Sequence, residues 1–131
     1  MYVFLSHLAC CASPIHAEHL RGALTLWNFP SAMITRKLGL ALAAGCMVVL
    51  KPTPETPFSA LALAKLVWHA SISASVLNIV MTLENVKEVG SELCENKIVK
   101  KVTFTGSMTI AKLLYKQAAG SMKKLAFSFD A

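Results

Sequence analysis

Asn28, Lys51 and the pair Gly106–Ser107 each follow an apolar run of this chain, where a strand would end. An amide such as that of Asn28 can stabilise an oxyanion, and a lysine ammonium can donate hydrogen bonds to hydroxyl groups. A strand that runs through Gly106–Ser107 into a helix presents free N–H groups, which can hold a phosphate. Each residue also has a simpler interpretation. Asn28 could be a turn residue, Lys51 an ordinary solvated lysine and Ser107 the cap of a helix. The spacing alone leaves both interpretations open.

Alternating strands and helices are predicted to position these residues. The predicted strands span residues 23–27, 46–50, 76–80, 98–104 and 125–129. The predicted helices span residues 31–44, 57–70 and 84–95, and a fourth helix follows Ser107 and ends near Ala119. Strands that alternate with helices of this length form βαβ units, so we expect an α/β fold with a Rossmann-like, three-layer parallel sheet. Ligands of such a sheet gather at the carboxyl ends of its strands, where the residues singled out above fall.

Glycine and proline set the predicted boundaries. Gly45 stands where a helix usually stops. Pro57 stands at the first position of the next helix, where its missing N–H costs nothing. Residues 51–55 contain two prolines, which remove hydrogen-bond donors, so this stretch is predicted to be a loop.

The composition is more apolar than that of an ordinary small domain. Of the 131 residues, 55% are hydrophobic and only 15% are charged, which indicates missing partner segments or an oligomer. The longest charge-free helical stretch, residues 38–50, has 13 residues. A membrane span needs roughly 18, so we expect none. Residues 1–17 are uncharged with an apolar centre but lack a basic start, so they do not make a convincing targeting segment.

Charge and cysteine patterns exclude two other classes of site. The net charge is +6, but the lysines and arginines are scattered and form no basic stripe, so we expect no nucleic-acid partner. The four cysteines show neither CxxC spacing nor a histidine at a ligand offset, so no metal site is predicted. Cys46 and Cys94 lie in apolar segments and are predicted to be small buried side chains rather than nucleophiles.

Five sequence runs resemble the aldehyde dehydrogenase family, and among its members the succinate-semialdehyde dehydrogenases. They are WNFPSAMITRK at 27–37, AAGC at 43–46, VLKP at 49–52, TPFSALALA at 56–64 and FTGS at 104–107. Their order and spacing over about a hundred residues carry the resemblance. It assigns residues 23–125 to part of the family's cofactor-binding domain, leaves residues 1–22 unassigned and marks residues 126–131 as a divergent end.

The resemblance implies NAD- or NADP-dependent oxidation of an aldehyde to a carboxylic acid through a cysteine thiohemiacetal and thioester. Asn28 looks like the amide of the oxyanion hole, and Trp27 looks like a residue of the cofactor loop. Lys51 resembles the ligand of the adenosine ribose, and Gly106 with Ser107 resembles the pyrophosphate contact.

The chain departs from the family pattern at several positions. The family pattern has an acidic ribose ligand three residues after Lys51, but this chain has Pro54 there and its glutamate, Glu55, one position later. The preference for NAD or NADP is therefore undetermined. A glycine expected in the last helix is Ala111. In the turn of residues 70–76, serine replaces two glycines and a proline of the family pattern. A serine in place of glycine destabilises the folded chain most where the backbone needs a positive φ.

The catalytic groups of the family are missing from the sequence. Ser128 stands in the approximate place of the general-base glutamate, and the nucleophilic cysteine has no counterpart. We therefore expect a chain related to succinate-semialdehyde dehydrogenase that is catalytically incompetent alone. The alternatives are a non-catalytic fragment that binds a nicotinamide dinucleotide or full-length homologous subunits, and a decayed chain without a stable fold. The resemblance implies a mitochondrial location, with the cytoplasm as the alternative.

Overall fold

A computed structural model describes residues 19–129 of the chain, in which strands and helices alternate. The strands are β1 (Leu20–Leu24), β2 (Met47–Lys51), β3 (Leu77–Ile79), β4 (Val99–Gly106) and β5 (Lys124–Phe129). The helices are α1 (Pro30–Ala43), α2 (Pro57–His69), α3 (Val86–Glu95) and α4 (Met108–Ala118), and α4 runs into a 3₁₀ turn at Ala119–Ser121. The strands form one parallel sheet in the order β3-β2-β1-β4-β5. The predicted α/β fold is confirmed.

Helices cover both faces of the sheet, as the side chains of β2 show. Val48 and Leu50 point to a core shared with α1 and α2, whereas Met47 and Val49 point to a core shared with α3 and α4. A parallel strand covered on both faces needs an apolar residue at nearly every position. This requirement explains the uninterrupted apolar run that predicts β2.

The order of strands reverses between β1 and β4. The chain leaves β1 into α1 on one face of the sheet, and it leaves β4 into α4 on the other face. At such a topological switch point the two connections diverge and leave a crevice outside the carboxyl ends of the strands. Leu24 at the end of β1 pairs with Phe104 of β4 on one side and with Lys51 of β2 on the other.

Helix α1 ends at the predicted glycine. Gly45 has a φ of 67°, and its N–H donates to the Leu42 carbonyl at 2.9 Å. The next N–H, of Cys46, donates to the Ala41 carbonyl at 2.9 Å. These two bonds form a Schellman motif, which needs a left-handed residue at the position of Gly45.

Strand β1 lies three residues earlier than predicted. The expected span was 23–27, but the ladders to β2 and β4 run from Leu20 to Leu24. An arginine and Gly22 made the beginning look unlike a strand. The glycine has a packing role instead, because a Cβ there would lie 3.3 Å from Cδ2 of Leu93. Trp27 and Asn28 are therefore loop residues and not the end of the strand.

Other boundaries shift by smaller amounts. β4 continues through Gly106, beyond the expected end at Phe104, because β5 pairs with it as far as Phe129. Residues 126–129, whose sequence diverges from the family pattern, therefore still form part of β5. Ala111, which replaces a family glycine, is accommodated in the core at 2% exposure.

Several expectations concern residues that the structure does not describe. The N-terminal segment 1–17, with Cys10 and Cys11, and the last two residues lie outside the described range. Within residues 19–129, Cys46 and Cys94 are buried as predicted, and no group of three potential metal ligands is found. In the same range no helix has the length and apolar character that crossing a membrane requires.

Candidate cofactor site at the carboxyl edge

The carboxyl ends of β2, β1 and β4 bring the predicted site residues to one edge of the sheet. These three strands are neighbours in the sheet order. Lys51 is the last residue of β2, Gly106 is the last residue of β4, and Asn28 lies in the loop after β1. Residues from separate parts of the chain thus border the crevice at the switch point.

The loop after β1 turns sharply into α1. Trp27 and Phe29 are 61% and 68% exposed, and Asn28 between them is half-buried. Phe29 adopts a left-handed conformation with φ 49° and ψ 56°, and its carbonyl accepts the Met33 N–H at 3.0 Å. Such a conformation costs a residue with a Cβ about 1–2 kcal/mol. The chain therefore enters α1 through a strained turn directly after Asn28.

Lys51 is buried at the end of β2. Its side chain is 6% exposed, and its carbonyl accepts the Thr25 N–H at 3.3 Å. Burial lowers the pKa of Lys51 below its usual value, and the nearby Glu55 carboxylate partly opposes that shift. A poorly hydrated ammonium gains most from hydrogen-bond acceptors on a ligand. The interpretation of Lys51 as an ordinary solvated lysine is wrong.

Gly106 and Ser107 form the start of α4. A Cβ on residue 106 would overlap the Phe104 ring, so a larger residue there would displace that ring. The Ser107 hydroxyl accepts the Ile110 N–H at 3.5 Å, so the serine caps the helix. The hydroxyl oxygen is the acceptor in this bond, so its own proton can donate to a ligand. The first turn holds no acidic residue, which leaves the positive end of the helix dipole available to an anion.

Two threonine hydroxyls near the switch point are buried without a partner. Thr25, just after β1, is 8% exposed, and Thr105 in β4 is 1% exposed. Neither hydroxyl has a hydrogen-bond partner among the described residues. An unsatisfied buried hydroxyl costs about 1–3 kcal/mol. The Lys51 ammonium and the start of α4 are donors that fit a dinucleotide, and Thr25 is a candidate site residue that the sequence did not indicate.

A cationic cavity of about 250 Å³ lies between α1 and strands β1, β4 and β5. Its lining includes four basic residues and no acidic one: Arg21, Arg36, Lys37 and Lys101. Burial, followed by repulsion from Arg36, lowers the pKa of Lys37 to about 8. Ser128, in the place of the family's general base, also lines this cavity.

The sheet register creates this cationic cluster. Arg21 of β1 is the register partner of Lys101 of β4, eighty residues further along the chain. Sequence inspection treated the basic residues as scattered, because parallel pairing between distant segments leaves no local signal.

The sequence of residues 20–130 matches the aldehyde dehydrogenase family. The chain belongs to that family. The resemblance drawn from the sequence runs is therefore confirmed, and the chain is an aldehyde dehydrogenase homologue with the α/β domain expected for it.

Similar proteins include succinate-semialdehyde dehydrogenases. Succinate-semialdehyde dehydrogenase 1 of Schizosaccharomyces pombe, whose name specifies NADP(+), is 56% identical over 104 residues, which cover 79% of this chain and 21% of the yeast protein. Mitochondrial succinate-semialdehyde dehydrogenase of Homo sapiens is 54% identical over 103 residues, which cover 78% of this chain and 19% of the human protein. The chain thus spans about a fifth of the length of these relatives.

Solved structures show the same arrangement. An NADP-dependent enzyme of E. coli superposes with a TM-score of 0.82 at 48% identity, over 88% of this chain and 24% of that one. Succinate-semialdehyde dehydrogenase of Burkholderia pseudomallei gives a TM-score of 0.79 at 47% identity, over 84% and 22% of the two chains.

Proposed function

We propose that this aldehyde dehydrogenase homologue is part of the cofactor-binding domain of a succinate-semialdehyde dehydrogenase and that its carboxyl edge holds NAD or NADP. One observation carries the proposal: the neighbouring strands β2, β1 and β4 bring Lys51, Asn28 and the Gly106–Ser107 turn to the crevice of the switch point. An ammonium, an amide and a phosphate-binding helix start are the groups that a dinucleotide and its aldehyde substrate require.

Each residue has a distinct role in this proposal. The Lys51 ammonium donates to ribose hydroxyls, and the free N–H groups after Gly106 with the Ser107 hydroxyl donate to the pyrophosphate. The Asn28 amide donates to the oxyanion that develops on the aldehyde oxygen, and Trp27 borders the cofactor. The bound nicotinamide supplies the hydride acceptor.

The described residues supply no nucleophile for the family's chemistry. Cys46 and Cys94 are 2% and 0% exposed and lie in the two cores of the sheet. Burial also raises the pKa of the Cys94 thiol, which disfavours the reactive thiolate. Ser128 cannot take up a proton as a carboxylate does. We therefore expect the chain to bind the cofactor without oxidising an aldehyde by itself.

Calorimetry with millimolar NAD and NADP tests this proposal. The unmodified chain should release or absorb heat with at least one dinucleotide. Lys51→Met should weaken binding by about tenfold, because it removes a charge-assisted donor. Lys65→Met, which changes an exposed lysine of α2, is the matched control and should bind as the unmodified chain does. A lack of heat with both cofactors would contradict the proposal.

The cationic cavity favours a second candidate function, attachment to a full-length homologous subunit. The cavity lies on the α1 side of β4 and β5 and has four basic residues without a carboxylate in its lining. An acidic segment of a partner would relieve their mutual repulsion. Co-purification with a full-length homologue tests this second function. The unmodified chain should co-purify, and Lys101→Glu should not. Recovery of the unmodified chain only as a free monomer would contradict the proposal.

The human relative is named as mitochondrial. We propose the same location for this chain, with the cytoplasm as the alternative. Fluorescence imaging of the tagged full-length chain against a mitochondrial marker distinguishes the two.

A further inference from the structure

The positive charge of the chain is concentrated in one segment. Residues 96–129 contain seven lysines and no aspartate or glutamate, whereas the rest of the chain carries six lysines and arginines and all seven acidic residues. The segment comprises β4, α4, β5 and the loops that join them. Such an excess of one charge attracts an oppositely charged partner where the fold gathers it on one surface.

The fold gathers most of these lysines at the amino edge of the sheet, opposite the proposed cofactor site. Lys97 and Lys100 lie where β4 begins, and Lys124 is the first residue of β5. The two strands are parallel neighbours, and Lys101 is the register partner of Lys124. Lys116 lies in the last turn of α4, which returns the chain to the same edge. Four of these side chains are exposed: Lys97, Lys100, Lys116 and Lys124.

An irregularity in β4 separates Lys100 from the regular strand pairing. The register of β4 against β1 moves from Val99 to Lys101 over one step along β1, so Lys100 has no partner in β1. An extra residue of this kind re-aims its side chain. The Lys100 side chain is accordingly exposed at the beginning of the strand.

Hydrogen bonds hold together the two loops of this edge. The Ser121 hydroxyl donates to the Cys94 carbonyl at 2.9 Å. The Lys123 ammonium donates to the Leu93 carbonyl at 3.1 Å and to the Asn96 carbonyl. These bonds fix the turn before β5 against the end of α3 and the loop that precedes β4. The Lys123 ammonium is thus engaged within the chain, whereas the exposed lysines are available to a partner.

Two apolar side chains are exposed among the lysines. Met122 is 96% exposed, and its backbone adopts a φ of 51° in the turn that the hydrogen bonds hold. Ile98, in the loop before β4, is 47% exposed. Cations around an exposed apolar side chain suit a partner that is anionic at its surface and apolar beneath, as a lipid membrane is.

Two glutamates at the end of α3 oppose the attraction in part. Glu92 accepts a hydrogen bond from the Asn96 amide at 2.6 Å. Glu95 accepts one from the Ser91 hydroxyl at 2.6 Å. The lysines of this edge outnumber the two glutamates: they are Lys97, Lys100, Lys101, Lys116, Lys123 and Lys124.

We infer that residues 96–101 and 119–124, with Lys116, form a docking surface for an anionic lipid membrane. The exposed lysines meet the headgroup phosphates, and Met122 enters the boundary between headgroups and acyl chains. A single-stranded nucleic acid would be attracted by the same charge, but its bases need aromatic side chains on which to stack. The two ranges contain no aromatic residue, which favours the lipid.

Co-sedimentation of the full chain with lipid vesicles tests this inference. Vesicles made of equal parts of phosphatidylcholine and phosphatidylserine should carry the chain into the pellet. Vesicles of phosphatidylcholine alone should leave it in solution, because they lack the net negative charge. Raising the salt concentration should release the bound chain, because salt screens the attraction.

Three substitutions locate the binding on this surface. Lys100→Gln and Lys124→Gln should each weaken binding by about fivefold, because each removes one charge near the headgroups. Met122→Asn should also weaken it, and asparagine tolerates a positive φ, so the turn is kept. Lys65→Gln and Met81→Asn change an exposed lysine of α2 and an exposed methionine after β3. These matched controls should bind as the unmodified chain does.

Three results would overturn the inference. The first is equal sedimentation with the two kinds of vesicle, or none with either. The second is unchanged binding in all three variants, which would assign the attraction to other residues. The third is binding of a single-stranded RNA without binding of the anionic vesicles, which would identify a different class of partner. None of these results bears on the proposed cofactor site, which lies at the other edge of the sheet.

Discussion

Lys37 shows how the fold perturbs a single cation. Its ammonium shares the cavity under α1 with Arg21, Arg36 and Lys101. Burial and the Arg36 charge lower the pKa of Lys37 from 10.5 to about 8. A lysine whose pKa is lower in the folded chain than in the unfolded chain destabilises the folded state while it is protonated.

The expected pH dependence follows from this shift. Between pH 8 and 10.5 the folded chain has released the Lys37 proton while the unfolded chain still holds it. The free energy of unfolding should therefore rise with pH across this window. Lys37→Met should stabilise the chain at pH 7 by on the order of 1 kcal/mol, after allowance for solvent screening, and should flatten the rise.

Urea unfolding of the two proteins at pH 7, 8, 9 and 10 measures this difference. The exposed Lys65 of α2 provides a matched control, Lys65→Met, which should leave the slope unchanged. An equal rise of stability with pH in the unmodified chain and in Lys37→Met would rule out Lys37 as its source.

The sequence indicated the candidate site residues that directly follow apolar strands. It did not indicate those whose position depends on the pairing between strands. Lys51 and Gly106 could be singled out because a polar or flexible residue ends each run. Thr25 looked like part of a strand until the ladders placed the end of β1 at Leu24. Burial of Lys51 was also unpredictable, because it depends on tertiary packing and not on local sequence.

At the scale of the elements, α1 and α2 end in the same motif with different residues. Ser71 follows α2 with a φ of 57°, and its N–H donates to the Trp68 carbonyl at 3.0 Å. The Ile72 N–H donates to the Val67 carbonyl at 3.4 Å. This is the geometry that Gly45 provides after α1, so the serine occupies a position that favours glycine. A serine in place of glycine was expected to destabilise the folded chain more where φ is positive, and Ser71 occupies such a position.

Ser71→Gly should stabilise the chain by about 1 kcal/mol, because it removes the strain of a left-handed residue that has a Cβ. The side chain is exposed, so its removal costs little packing. Thermal unfolding should show a higher midpoint.

Ser75→Gly is the matched control for this change. Ser75 also replaces a family glycine, but it is not among the residues with positive φ. The control should leave the midpoint unchanged or lower it. Equal effects of the two substitutions would show that backbone conformation is not the cause.

At the scale of the molecule, the alternation of elements predicted the fold class but not the order of the strands. A chain of βαβ units can be wound on one face or on two, and local patterns do not distinguish them. The structure places β1 at the centre of the sheet, beside β4. This placement puts the loop of Asn28 and the Gly106–Ser107 turn after the carboxyl ends of two neighbouring strands, where the proposed function needs them.

The location of the bound nucleotide is the most direct test of that function. A ¹⁵N-labelled chain titrated with AMP should show amide shift changes near Lys51 and Ser107, to which the proposal assigns the adenosine ribose and the phosphates. The amides around Arg21 and Lys101, in the cationic cavity, should change little. Shift changes confined to the cationic cavity, or none at millimolar AMP, would contradict a cofactor site at the carboxyl edge.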